Sequence, residues 1–278
     1  MNLVRRLLAC LALVLMAFAV ARPAEATWSI VAVDPETREV GLAAAACSVG
    51  VQHIAAVVPG RGVIASQAAT SLIGRNKARK WIAGGQGATG ILAALQNRDL
   101  YRNWFASDLP VLQYGVVTLG DGSGTGAEAG FVTGTKNFSW AGGEAGADFS
   151  VQGNTLRNAD VVSKAAQAFR DAGRDRDGGA CPPPLAERLL RALEAGRDAG
   201  GDNRCPAAAP ALAAVLIVAG PDDPADDVTF HEVAPRSFSL AANVWYNLLP
   251  YQPDPTRQEP VAELRKRYEA ATVRRDCR

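Results

Sequence analysis

One stretch constrains this chain more than any other: Ala24, Glu25 and Ala26, followed by Thr27 and the alternating run Trp28-Ser29-Ile30-Val31-Ala32-Val33. Ala24-Glu25-Ala26 has the small-x-small form of a signal-peptidase site, and a strand pattern opens immediately at Thr27. Cleavage after Ala26 would make Thr27 the first residue of the mature chain, with a free α-amine beside its hydroxyl. A hydroxyl is a weak nucleophile without a neighbouring base, and an N-terminal threonine carries that base on the same residue. The amine titrates near pH ~7.7–8.0, so part of it is unprotonated at neutral pH. The plainer alternative is that Thr27 only begins a strand.

The residues ahead of Thr27 fit export. Arg5 and Arg6 supply a positive start, and the apolar run of residues 7–20 is short for a membrane span. The expectation is a Sec-type signal peptide over residues 1–26, a periplasmic or secreted protein, and one mature domain over residues 27–278. Ala17-Phe18-Ala19 and Ala19-Val20-Ala21 are rival cleavage sites, and a cut at either would leave residues ahead of Thr27 and silence its amine. Losing Arg5, Arg6, Arg22 and Glu25 takes the formal net charge from +1 to −1. No basic stripe suits a phosphate backbone and no second apolar run is long enough for a bilayer. Nucleic acid is therefore not an expected partner, nor a membrane once the signal is gone.

Four cysteines remain after cleavage: Cys47, Cys181, Cys205 and Cys277. An even number in an exported protein favours disulfides, with three pairings open. Cys181 with Cys205 is the expected bond, closing a loop around an intervening helix. Cys47 with Cys205 is the rival, and Cys277 is expected to stay unpaired. No two cysteines are close in sequence, and the only histidines, His53 and His231, lie far apart, so neither a metal nor a cofactor is expected. Two histidines also leave little room for a histidine-based triad.

Along the mature chain the pattern is of hairpins with helices grouped between them. Thr27–Val33 and Val40–Ala46 flank the turn Asp34-Pro35-Glu36-Thr37, a pairing that sets Thr27 opposite about Ala46 and brings Cys47 and Ser48 near it. The alanine-rich end of the second strand implies burial on both faces. Residues 55–58 and 63–68 form a second hairpin about Pro59-Gly60-Arg61-Gly62, and residues 112–119 and 127–133 a third. Residues 73–96 read as helix broken at Gly84-Gly85-Gln86-Gly87. The string of residues 85–90 formally fits a dinucleotide fingerprint, yet it follows a helix instead of a strand and reads as a break and restart. A short strand, residues 149–154, precedes helices at residues 159–172 and 185–195. A strand at residues 211–219, another at 228–233 and a charged helix at 258–275 complete the chain. Antiparallel strands with grouped helices predict an α+β fold, a four-layer α-β-β-α sandwich with the first strand central.

The residues also resemble a known family, the DUF1028 proteins, which look like members of the Ntn-hydrolase superfamily. The resemblance is carried by residues 27–43 (TWSIVAVDPETREVGLA), 57–68 (VVPGRGVIASQA), 113–117 (QYGVV), 140–142 (WAG), 151–154 (VQGN) and 185–204, which end in GGDNR. It implies the four-layer fold and a threonine nucleophile exposed in cytoplasmic relatives by loss of the initiator methionine. Relatives continue the last segment with Gly, Gln and Ser, whereas this chain has Cys205-Pro206-Ala207-Ala208. No counterpart of the proteasome's supporting lysine is found. Some relatives carry a peptidoglycan-binding module, which implies cell-wall work for them.

An acyl-transfer site needs oxyanion donors and groups that hold the amine. Thr27 and Asn154 are the candidate catalytic residues, Asn154 as an oxyanion donor or else as a turn residue tolerating left-handed geometry. Ser48, Ser66, Gln67, Asp202 and Arg204 are the candidate substrate-binding residues. The last two form either a pocket ion pair or, as we favour, a brace for the loop before the last core strand. The reading is an exported N-terminal-nucleophile amidohydrolase acting on a small or cell-wall-derived amide. The alternatives are a non-catalytic protein of the same fold binding a similar ligand, and a structural envelope subunit. Alanine-rich faces leave room for a homo-oligomer.

Overall fold

In the computed structural model, residues 27–48, 50–69, 71–101, 110–120, 126–175, 182–224, 238–242 and 259–271 are described. The strands are β1 (Thr27–Val33), β2 (Val40–Ala46), β3 (Ala55–Val58), β4 (Gly62–Ala68), β5 (Leu112–Thr118), β6 (Glu128–Thr133), β7 (Trp140–Ala145), β8 (Phe149–Leu156), β9 (Ala213–Ala219) and β10 (Phe238–Ala242). The helices are α1 (Leu72–Ala83), α2 (Ala88–Leu95), α3 (Asp160–Arg174), α4 (Leu185–Asp198) and α5 (Pro260–Ala271). One antiparallel sheet runs β10-β9-β2-β1-β8-β7 and a second runs β3-β4-β5-β6. The three expected hairpins all form, the helix break falls between α1 and α2, and the expected strand at residues 228–233 lies outside the described residues. Strands β7 and β10 were not foreseen.

Strand β1 is interior because both of its faces are apolar and both of its edges are paired. It runs between β2 and β8, with Thr27 opposite Ala46 on one side and Asn154 on the other. The period of two sends Trp28, Ile30 and Ala32 to one face and Val31 and Val33 to the other. The first set packs with Leu189, Leu193, Val161 and Phe169 of α3 and α4. The second set joins Leu42, Ala44, Val57, Val63 and Val117, filling the space between the two sheets. Helices α1 and α2 cover the outer face of the smaller sheet through Ala78, Ile82, Ile91 and Leu95, against Ile64 and Val116.

The alanines of β2 are explained by their neighbours. The strand is flanked by β1 and β9, with Ala43 and Ala45 under the helices and Ala44 and Ala46 toward the second sheet. Small side chains let both layers approach closely. The C-terminal helix α5 docks an apolar stripe, Val261, Leu264 and Tyr268, onto the same helical layer. Its Arg265 reaches Glu187 at 2.6 Å and Glu194 at 2.7 Å on α4.

The cysteine expectation is corrected here. Cys205 is bonded to Cys47, with Cα atoms 5.6 Å apart, so it is not available to Cys181, which itself lies outside the described residues. Loop closure around a helix was the wrong criterion. What brings the two cysteines together is the segment after α4, which returns across the end of β2.

Candidate active site around Thr27

That return begins with two glycines. At the end of α4, Gly200 (φ +111°) and Gly201 (φ +50°) take conformations that side chains resist, and the Gly201 N–H bonds back to the Gly196 carbonyl at 3.1 Å. The chain thereby reverses and places Asp202, fully buried, against β8, where it bridges to Leu156. Asn203 N–H donates to the Thr155 carbonyl at 3.0 Å.

Asp202 then closes the sheet beside Thr27. The Ala46 carbonyl accepts from Leu212 N–H at 2.8 Å and so faces β9. Alternation along a strand turns the next N–H, that of Cys47, toward β1. An extended chain ahead of Thr27 would offer its carbonyl there. Asp202 Oδ2 accepts from that N–H, at 2.7 Å. Arg204 grips the same carboxylate, Nη2 to Oδ2 at 2.8 Å and backbone N–H to Oδ1 at 2.9 Å, and the Cys47–Cys205 disulfide fastens the segment. Asp202 and Arg204 thus pair with each other, and Asp202 ties the loop to the end of β2.

The other neighbours of Thr27 are amides and hydroxyls. Gln67 Nε2 donates to the Thr27 carbonyl at 3.2 Å and to Gln113 Oε1 at 2.8 Å, and Gln67 Oε1 accepts from Ser29 Oγ at 2.7 Å. Asn154 Nδ2 donates to Gln113 Oε1 at 3.1 Å. Gln152 Nε2 donates to Ser29 Oγ at 2.6 Å, and Gln152 Oε1 accepts from Ser150 Oγ at 2.8 Å. Ser29, Gln67, Gln113, Ser150, Gln152 and Asn154 are each 0% exposed and Thr27 is 1%. Burying so many polar groups is tolerable only because they satisfy one another.

The candidates separate accordingly. Thr27, Gln67 and Asn154 come together. Asn154 lies inside β8 opposite Thr27, and the left-handed residue is its neighbour Thr155 (φ 53°), a β-branched side chain in an unfavourable region. Ala68 (φ 67°) follows Gln67 in the same way. Backbone strain next to both amides is of the kind held at functional sites.

Ser66 does not join them. It points to the opposite face of β4, where its hydroxyl donates to the Ser71 carbonyl at 3.1 Å and meets Tyr114. Burial there pushes the phenols of Tyr114 and Tyr101 above their usual range. Ser48 lies two residues past Ala46 with its Oγ buried and, among the described residues, without a partner. His53 is held below its ordinary value by burial and then by Arg75, and His231 lies outside the described residues.

Sequence reasoning missed Ser29, Gln113 and Gln152. The available signal was a polar residue at inward parity in each of four strands, Ser29 in β1, Gln67 in β4, Gln113 in β5 and Gln152 in β8. Among the described residues no cluster of His, Cys, Asp and Glu could hold a metal, and no helix is long and apolar enough to cross a membrane. Thr27 lines neither of two cavities. One of about 270 Å³ sits at the far end of the sheets by Arg38, Arg61 and Thr118, and one of about 250 Å³ lies by Leu95, Leu112 and Thr133.

Comparison with known proteins adds a family. No curated protein matches the chain. A solved structure, protein SPO2555 from Silicibacter pomeroyi, is similar over 89% of this chain and 90% of that one, with a TM-score of 0.63 and 25% identity, and is itself described under DUF1028. Residues 27–236 match the description "family of unknown function (DUF1028)", a match that starts at Thr27. The chain belongs to the DUF1028 family.

Proposed function

We propose that this chain is an exported amidohydrolase of the Ntn-hydrolase superfamily, with Thr27 as its nucleophile and residues 1–26 as a Sec-type signal removed after Ala26. The observation that carries the reading is the position of Thr27. It opens the described part of a central strand of the larger sheet, opposite Asn154, and Asp202 holds the Cys47 N–H next to its other partner, Ala46. Two sheets faced by helices on their outer sides support the four-layer sandwich of that superfamily. The Cys47–Cys205 bond supports an oxidising compartment.

In this reading the Thr27 hydroxyl attacks an amide carbonyl carbon while its proton passes to the α-amine. A C–O bond forms and the carbonyl electrons move to oxygen, where the Asn154 amide stabilises the oxyanion. Collapse breaks the C–N bond, and the leaving amine takes the proton from the α-ammonium. Water then attacks the ester, releasing the acid and restoring Thr27. The surrounding groups are neutral amides and hydroxyls apart from the paired Asp202 and Arg204, which suits an uncharged, polar amide from a small or cell-wall-derived substrate. A homo-oligomer built on the alanine-rich faces belongs to the same proposal.

One observation favours a second reading, a ligand-binding protein of the same fold: Thr27 is 1% exposed and lines neither cavity. Intact-mass analysis of exported protein, before and after a β-lactone probe, separates the two. The amidohydrolase predicts a mass beginning at Thr27, one covalent label, its loss in Thr27→Ala and slower labelling in Thr27→Ser. A mature chain beginning ahead of Thr27, or equal labelling of Thr27→Ala, leaves the binding protein.

A further inference from the structure

We propose that Gln113 is the positioning residue of the Thr27 site, the group that decides which way the amides of Asn154 and Gln67 face; this rests on the amidohydrolase reading above. Gln113 lies on β5 with its side chain wholly buried between the sheets. Its Nε2 lies 2.8 Å from the Gly153 carbonyl, 3.3 Å from the Gly142 carbonyl and 2.8 Å from Thr133 Oγ1. Backbone carbonyls only accept, so this end of the amide is the nitrogen. The oxygen must then face the other way, and there it receives Gln67 Nε2 and Asn154 Nδ2.

That orientation propagates. Asn154 is obliged to turn its NH2 group toward Gln113, which uses one N–H and leaves the second on the residue that pairs with Thr27. Gln67 is likewise obliged to present nitrogen to Gln113 and to the Thr27 carbonyl, and its oxygen to Ser29. Two backbone carbonyls of β7 and β8 therefore set the donor direction at Thr27 through one side chain. A flipped Asn154 would point its own oxygen at a developing oxyanion and repel it.

The test measures acylation of Thr27 by a β-lactone probe as a function of probe concentration, in processed full-length protein. Gln113→Met removes both ends of the pivot at similar length. It should lower the rate at saturating probe by tenfold or more, toward the ~10²–10³-fold typical of a lost oxyanion donor, with the half-saturating concentration little changed. Asn154→Ala should fall at least as far, and the double variant no further than Asn154→Ala alone. A merely structural loss would lower the fraction of folded, labelled protein and leave the saturating rate constant of that fraction unchanged. Where Gln113→Met does not fold, Gln113→Asn serves with the same expected loss. Unslowed labelling in the Gln113 variant, or losses that multiply in the double variant, overturns the inference alone. Wild-type protein starting at Thr27 that takes no label overturns the nucleophile reading and the inference with it.

Discussion

The two ends of the layer between the sheets are built on opposite principles. Toward Val33 the space is filled by Val31, Leu42, Val57, Val63, Val117, Val215 and Ile217, which contribute by volume and exclude water. Toward Thr27, two to four residues along β1, β4 and β5, it is filled by Ser29, Gln67 and Gln113, with Gln152 and Asn154 beside them on β8. These contribute by direction: each amide must turn its nitrogen to acceptors and its oxygen to donors, and a misdirected amide is worse than none. The apolar end tolerates a change of shape if the volume is kept. The polar end tolerates almost no change of chemistry. A fold seeking stability alone would have filled both ends alike, and the cost accepted at one end is what makes it the candidate site.

The sharpest break in that comparison is expected at Gly115. A Cβ there would lie 2.0 Å from Gln152 Oε1 and 2.5 Å from its Nε2. Gly115→Ala must displace the Gln152 amide from Ser29, adding overpacking to a broken buried network, together about 4 kcal/mol of stability. Leu42→Ala, at the apolar end, leaves a cavity and should cost about 3 kcal/mol. The two should differ in kind as well: Leu42→Ala leaves probe labelling of the remaining folded Thr27 protein unchanged, while Gly115→Ala depresses it. Denaturant titration with parallel labelling checks both. Equal labelling in the two variants would mean that the polar end serves stability only.

What the sequence revealed follows the same division. The hairpin pairing that sets Thr27 against Ala46 was readable because alternation and turn chemistry are local. The burial of β2 was readable from its alanines. Gln67 and Asn154 were singled out, but Gln113 was not, because its importance lies in which atoms β7 and β8 bring to it from elsewhere in the chain. The disulfide failed for a related reason. Cys181 looked the better partner by loop closure, whereas two glycines after α4 send Cys205 to Cys47. Ser66 was drawn in by being next to Gln67, although adjacent strand residues face opposite ways.

The finest test of the comparison deletes one heavy atom from each end. Ile217→Val trims a methyl group from a side chain 2% exposed among valines and leucine, whose neighbours need nothing specific from it. That loss should be about 1 kcal/mol. Ser29→Ala removes only a hydroxyl oxygen, and less apolar surface is involved. Yet that oxygen accepts from Gln152 Nε2 at 2.6 Å and donates to Gln67 Oε1 at 2.7 Å, so two buried amides lose a bond at once. Gln152 Nε2 keeps the Ser29 carbonyl at 3.3 Å, while Gln67 Oε1 loses the hydroxyl that satisfied it. The expected cost is about 2 kcal/mol, from leaving polar atoms unpaired in a place water does not reach. Chemical unfolding at equal m-values compares the two variants directly. If Ser29→Ala costs no more than Ile217→Val, the polar end is filled by volume like the apolar one, and the direction of its donors does not govern it.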